Sequence, residues 1–344
     1  MKKPGRVLIS RTDNIGDVVL TFPMIGIFKR KFPETQIYFL GKTYTEPLVR
    51  LNKNIRGFLN YDEIAKMTET EATGYIRSFG FDAVVHVFPR KEIARICKRA
   101  GIPLRIGTSH RFYHWFTCNR LVHFSRKNSS LHEAQLNIKL LKPFKIKVPP
   151  LEDIPEYYDL LPPNLSEERK TVAYYDDKVK IDDFIDASRI NLIIHPKSKG
   201  SAVEWGLDNF AALLELLPEG KYKIFLTGTK AEGELLKDFA KLYGDKLTDV
   251  TGIFDLEQFI YFISKTDGIV AGSTGPLHIA AALGKFTVGI FSPQRPIFPR
   301  RWAPIGKNAR YVVNETCRPT DTDNCVSSIT AEQVRAIIKE HFGA

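Results

Sequence analysis

Near the end of the chain, Gly272-Ser273-Thr274-Gly275-Pro276-Leu277-His278 gathers small residues, two hydroxyls and an imidazole directly after the short apolar run of residues 267–271. The run reads as a buried parallel strand, and Leu277, Ile279, Ala280 and Leu283 read as a helix packed on a sheet. A helix start presents unpaired N–H groups and a positive dipole end, both of which favour anions. Thr274 can cap that helix or donate to a phosphate oxygen, Gly275 lets backbone approach closely, and Pro276 is tolerated in a first turn. Two readings stand: a phosphate site, or an ordinary capped helix with His278 in the core. A second set, Arg11, Asp13, Gly16 and Asp17, follows the apolar residues 7–10. A third is His195, Lys197, Ser198 and Lys199, with Glu232 further on. A basic, hydroxyl-rich set facing a carboxylate suits a nucleotide donor on one side and an acceptor hydroxyl on the other. Each residue also has a plainer role: helix-start carboxylates at Asp17 and Glu232, an Asx-turn at Asp13, solvated loop charge at Lys197 and Lys199.

The elements that must position these groups alternate. Strand-like residues 7–10 lead through the Arg11–Gly16 loop into an apolar helix over residues 18–32 and a strand at 36–40. Residues 83–87 continue as strand, a helix starts from Arg90, and another spans 131–141 after Asn128-Ser129-Ser130. Residues 148–164, with five prolines, form the expected linker. The pattern restarts with strand 190–195, helix 207–217, strand 223–226, helix 231–242 and the strand, loop and helix around Thr274. Strands alternating with helices imply an α/β chain with parallel sheets. Its domains are expected at 1–165 and 166–344, both doubly wound, with ligands at the carboxyl ends of the strands in a cleft between them. The last helix, 331–342, can pack on its own domain or return to the first.

The 344 residues, 43% of them hydrophobic, suffice for two cores. The N-terminus shows no export pattern and no apolar run approaches a membrane span, which predicts a cytoplasmic protein with at most peripheral membrane contact. Four scattered cysteines suit free thiols in a reducing compartment, although Cys317 and Cys325 lie close enough to bridge. The net charge of +11 is uneven: residues 1–150 hold 27 Lys and Arg against 11 Asp and Glu, leaving 23 against 28 for the rest. The first half therefore attracts an anionic partner. Arg105, Arg111, Arg120 and Arg126, interleaved with Phe112, Tyr113, Trp115 and Phe116, read as a docking surface or as core aromatics beside solvated charge.

Arg11-Thr12-Asp13-Asn14-Ile15-Gly16-Asp17-Val18-Val19-Leu20-Thr21-Phe22-Pro23 and Ser273-Thr274-Gly275-Pro276-Leu277-His278 together resemble glycosyltransferase family nine, the lipopolysaccharide heptosyltransferases. His132-Glu133 with Asn137, Phe291-Ser292-Pro293 and Trp302-Ala303-Pro304 extend the likeness over most of the chain. The resemblance implies a GT-B fold of two Rossmann-like domains, with the acceptor on the first and an ADP-sugar of the ADP-heptose type held mainly by the second. It further implies inverting transfer that needs no metal or other cofactor. Asp17 matches the family's Gly-Asp-Val motif and becomes the expected base, with Asp13 in reserve. Gly16, Lys197, Ser198, Lys199, Glu232, Ser273, Thr274, Gly275, Pro276 and His278 become the donor set. Glu232 would accept from ribose or base, and Thr274 and Gly275 would donate to the diphosphate. Arg11, Arg105, Arg111, Arg120 and Arg126 are expected to meet an anionic, lipid-linked core oligosaccharide at the inner membrane face.

Two positions depart from the family. Val203-Glu204-Trp205 lacks the Lys commonly found two residues before the Trp, and Ser273 replaces a common acidic residue. Both bear on the donor's identity. A sugar-nucleotide epimerase of related fold and a non-catalytic glycan-binding homologue are the alternatives. No G-x-G-x-x-G follows the first strand, as a nicotinamide or flavin enzyme would need. Asp321-Thr322-Asp323 lies in a late polar loop, His86 and His195 lack ligand spacing, and the basic residues form no recognition helix, so neither a metal nor nucleic acid is expected.

Overall fold

A computed structural model describes residues 3–127, 129–318 and 324–343. Asn128 and the Asp321-Thr322-Asp323 motif lie outside the described residues. The chain forms two compact units, residues 1–161 and 162–344. In the first, strands β1 (Arg6–Ser10), β2 (Gln36–Gly41), β3 (Ile55–Asn60), β4 (Ala83–His86), β5 (Leu104–Thr108) and β6 (Arg120–Val122) make a parallel sheet in the order β3-β2-β1-β4-β5-β6. Val7, Leu8, Ala83, Val84 and Val85 are all fully buried. Strands covered on both faces read as unbroken apolar runs, which is why these segments are visible in the sequence.

The helix expected over 18–32 is two helices. Helix α1 (Ile15–Val19) ends at Leu20, and α2 (Phe22–Lys31) starts afresh with Pro23 in its first turn, where the missing N–H costs nothing. Helices α3 (Lys91–Arg99), α4 (His114–Thr117) and α5 (Glu133–Lys139) follow in the same unit, with α3 packed on α4 and α5 on α2. Much of the proline-rich segment belongs to this unit as well. Residues Leu151–Tyr157 form a 3-10 turn against α2, Ile154 and Tyr158 are buried, and Leu160 bridges to Asn52. The approach is close enough that a Cβ at Gly26 of α2 would collide with the Tyr157 carbonyl.

The second unit opens with an antiparallel hairpin, β7 (Thr171–Tyr174) and β8 (Asp177–Lys180). A parallel sheet follows from β9 (Ile190–His195), β10 (Tyr222–Leu226), β11 (Leu247–Asp249), β12 (Gly268–Gly272), β13 (Phe286–Phe291) and β14 (Ala309–Val313), in the order β11-β10-β9-β12-β13-β14. The winding repeats that of the first unit. Helices α6 (Leu207–Leu216), α7 (Lys230–Leu242), α8 (Gly275–Ala282) and α9 (Ala331–Phe342) cover it. The last helix, α9, packs on α6, β13 and β14 of its own unit, with Val334 and Ile338 fully buried in that core. Cys317 and Cys325 are joined as a disulfide, correcting the expectation of free thiols there, while Cys97 and Cys118 are free and buried.

Trp205 ties the docking of α9 to the sheet. Its ring is 1% exposed, packs edge-on against Phe210 of α6, and donates Nε1–H to the Ile329 carbonyl at 2.7 Å. Trp205→Ala should therefore remove about 3–5 kcal/mol of stability in urea denaturation; a loss below about 1 kcal/mol would mean that α9 docks without it.

Candidate active site

In both sheets the strand order reverses beside the first strand, between β1 and β4 and between β9 and β12. Crevices at such switch points, past the carboxyl ends of the strands, are where doubly wound sheets bind ligands. Arg11, Asp13 and Asp17 follow β1, the residues 195–199 close and follow β9, and Ser273 to His278 follow β12.

At the first switch point Arg11 is the hub. Its backbone N–H donates to the Leu40 carbonyl at 3.0 Å, fixing it just beyond β1. Its side chain, 3% exposed, donates Nε–H to Asp13 Oδ1 at 2.7 Å and one terminal N–H to Asp17 Oδ1. The other terminal nitrogen serves Glu133 Oε1 at 3.3 Å and Asn137 Oδ1 at 3.1 Å. Arg126 donates to the same Glu133 Oε1, to Asn137 Oδ1 at 3.1 Å and to the Val87 carbonyl at 3.2 Å. Glu133 and Asn137 stand four apart on α5 and so share a face. Asn137 in turn donates to the Leu20 carbonyl at 3.0 Å, and Thr21 Oγ1 donates to the Asp17 carbonyl at 2.8 Å, closing the network over α1.

Two guanidinium groups thus share three carboxylates, with Arg11 and Glu133 closed off from water and the other three groups partly exposed. Burial works against the Arg11 charge, but Asp13, Asp17 and Glu133 together outweigh it and hold the group firmly protonated. Burial pushes Asp13 up to about 6; Arg11 opposes the rise and Asp17 adds to it. Asp17 is raised for the same leading reason, against Arg11 and with repulsion from Glu133. The burial is graded: Glu133 is 1% exposed, whereas Asp13 and Asp17 keep 17% and 15%. The two aspartates form the more open edge of the network. Asp17 stands in the first turn of α1, yet its carboxylate faces Arg11, and Asn14 before it makes no side-chain cap.

The four arginines that the sequence groups as one surface separate. Arg126 belongs to the carboxylate network. Arg105 is spent on its own loop, donating to the Thr117 carbonyl at 2.7 Å and the Ile102 carbonyl at 2.5 Å. Arg111 and Arg120 are exposed.

At the second switch point Thr274 holds the N-cap position of α8 in extended conformation, but its side chain makes no cap bond. Its hydroxyl is buried and has no hydrogen-bond partner among the described residues. An orphaned buried hydroxyl costs stability, and one set at a helix N-terminus suits an incoming anion. Gly275 and Pro276 form the first turn, Ser273 is half-buried, and His278 is buried with its backbone N–H on the Thr274 carbonyl at 3.4 Å. At the end of β9, His195 Nδ1 lies 2.9 Å from Thr227 Oγ1, whose proton goes to the Ile194 carbonyl at 3.2 Å. The imidazole therefore donates from Nδ1, and burial pushes it down to about 4, keeping it neutral.

Glu204 organises the loop after β9. It accepts from Lys197 Nζ at 2.8 Å and from the Ser198 backbone N–H at 3.0 Å, so the Lys197 charge is balanced, while Lys199 is exposed. Glu232 forms a capping box with Thr229, its Oε2 accepting from the Thr229 N–H at 2.7 Å and hydroxyl at 2.8 Å. The plainer helix-start reading describes that oxygen. Glu133, Asn137 and Glu204 hold these charged networks together, and the sequence assigns them no role. For the first two a signal exists, a polar i,i+4 pair that falls on one helix face. Among the described residues no group of three or more His, Cys, Asp or Glu side chains is arranged to hold a metal ion.

The sequence model of glycosyltransferase family 9 (heptosyltransferase) matches residues 75–329, and the chain belongs to that family. It is therefore a glycosyltransferase. It is 24% identical over 307 residues to the lipopolysaccharide core heptosyltransferase OpsX of Haemophilus influenzae, covering 86% of this chain and 81% of the relative. It superimposes on E. coli ADP-heptose lipopolysaccharide heptosyltransferase II with a TM-score of 0.73, at 18% identity over 97% of this chain and 98% of the other. It does so also on E. coli heptosyltransferase WaaC with ADP-2-deoxy-2-fluoro heptose, with a TM-score of 0.69, at 17% identity over 98% and 99%. The two six-stranded parallel sheets are those of the GT-B heptosyltransferases.

Removing one partner from a buried ionic network leaves the others uncompensated. Glu133→Ala, which sets Arg11 and Arg126 against each other, should cost about 3–5 kcal/mol in denaturant unfolding. A loss within about 0.5 kcal/mol, the range of ordinary surface substitutions, would show that the network is dispensable.

Proposed function

We propose that the protein transfers a heptose from ADP-heptose to an anionic, lipid-linked lipopolysaccharide core at the cytoplasmic membrane face, with inversion at the anomeric carbon and without a metal ion. The observation that carries the reading is the Asp17 carboxylate, held by Arg11 at a switch point, raised by burial and still open at its edge. In the reaction the acceptor hydroxyl attacks the anomeric carbon and its proton passes to Asp17. The bond from that carbon to the diphosphate oxygen breaks, and ADP leaves with the electron pair. Asp13, sharing Arg11, is the reserve base, and Gly16 precedes Asp17 in α1.

The second unit supplies the donor site. Thr274 Oγ1 and the first N–H groups of α8 stabilise the leaving diphosphate, where positive and N–H-rich surroundings lower the barrier most. Gly275 and Pro276 shape that turn, Ser273 and His278 flank it, and Ser198 and Lys199 reach it from the neighbouring loop. Lys197 acts together with Glu204, and Glu232 offers its remaining oxygen to the nucleoside. On the acceptor side Arg111 and Arg120 meet phosphate and carboxylate groups, Arg126 and Arg11 hold the base network, and Arg105 steadies its loop. The donor assignment is supported by the ADP-heptose analogue in WaaC, and the acceptor by the core substrate in OpsX's name.

Asp17→Asn keeps the hydrogen-bonding shape and loses the base. Turnover of ADP-heptose with core acceptor should fall by about 10²–10⁴-fold, while ADP affinity by calorimetry stays at the wild-type value. Retained turnover would remove Asp17 from the reaction; loss of ADP binding together with the fold would return it to a structural role.

A further inference from the structure

Residues 93–132 contain eight Lys and Arg and no Asp or Glu, an uninterrupted basic stretch bounded by Glu92 and Glu133. In its middle, between β5 and the edge strand β6, the chain turns out through α4 and presents Phe112, Trp115 and Phe116 at 79%, 62% and 61% exposure. The other exposed large apolar residues, such as Tyr44, Tyr175, Leu235 and Tyr311, are spread along the chain, which needs no explanation; three within five residues do.

The exposure is built into the fold. Buried His114 anchors the turn from inside, its Nδ1 2.9 Å from the Thr108 carbonyl, and the Cys118 N–H bonds to the His114 carbonyl at 2.8 Å. Trp115 is itself held, donating Nε1–H to the Ser109 carbonyl at 2.9 Å, and the Phe112 and Phe116 rings pack edge to face at 5.1 Å. The three rings are thus fixed as an apolar wedge, with exposed Arg111 and Arg120 beside it in sequence and α3, carrying exposed Lys98, packed on α4.

We infer that this tip docks the protein on an anionic phospholipid surface, the rings entering the interfacial layer and the arginines meeting lipid phosphates. Trp favours that layer, the two Phe rings gain by burying apolar area there, and each basic residue near an anionic leaflet adds attraction that salt screens. A protruding wedge suits a deformable bilayer better than a base-stacking platform, on which rings lie flat and apart along a groove. The inference rests on the lipid-linked acceptor reading for its purpose alone, because docking is measured without any transfer reaction.

The test is sedimentation of the full-length protein with vesicles of phosphatidylcholine, with and without phosphatidylglycerol, comparing wild type with Phe112→Ser/Phe116→Ser and with Trp115→Phe. Wild type should bind the anionic vesicles in a salt-sensitive way, and the double variant should bind about tenfold or more weakly. Its melting temperature and ADP affinity, which depend on neither ring, should match wild type. Brominated acyl chains should quench wild-type fluorescence and spare Trp115→Phe, whose remaining tryptophans are Trp205 and Trp302. Undiminished vesicle binding by the double variant, or no binding by wild type, overturns the inference. So does wild-type capture of a single-stranded oligonucleotide, lost in the double variant, with vesicles left unbound. None of these outcomes bears on whether Asp17 is the base.

Discussion

One buried guanidinium organises the first half of this molecule. Arg11 touches carboxylates from the loop after β1, from α1 and from α5, a helix more than a hundred residues further along the chain. A buried charge survives only when it is paired and its hydrogen bonds are complete, and Arg11 meets that condition by uniting these segments. The geometry of the aspartates follows from it. With Glu133 sunk beneath and shared with Arg126, Asp13 and Asp17 are left at the rim, partly wetted and more basic than ordinary carboxylates. The pairing fixes where the two carboxylates sit, and burial at that place, against the pull of Arg11, raises their proton affinity.

The two sheets give the same topological opportunity to different chemistry. Each reverses strand order beside its first strand, and each places its distinctive residues there. In the first unit the switch point holds an ionic network centred on Arg11, with two carboxylates at its rim; in the second it holds a helix N-terminus and an unsatisfied hydroxyl at Thr274. A proton acceptor and an anion site are the two requirements of glycosyl transfer from a nucleotide sugar. Family membership agrees with what the two crevices offer.

Much of this was legible because parallel strands buried on both faces declare themselves as apolar runs, and because Gly, Pro, Ser and Thr mark the loops that follow. Less legible features share a physical cause. The β7–β8 hairpin is short and rich in Asp, Lys and Tyr, with no apolar face long enough to announce a strand. The break between α1 and α2 falls inside a continuous apolar stretch, where Pro23 is compatible either with a first turn or with a kink. Asp13 and Asp17 stand beside Arg11 in sequence, but its other partners, Glu133 and Asn137, lie too far away for spacing to reveal them, and Arg126 groups with its basic neighbours in sequence because Glu133 stands just past the end of the acid-free stretch. Long-range charge pairing leaves no local periodicity.

Partial burial raises the proton affinity of Asp13 and Asp17 even though the Arg11 guanidinium that holds them opposes the rise. The most direct measurement is a carbon-13 titration of the aspartate carboxyl groups in the intact protein, assigned with Asp13→Asn and Asp17→Asn. A pair titrating above the ordinary carboxylate range, with Asp13 near 6, is the expected result. Both groups titrating at about 4, as free aspartates do, would contradict the account.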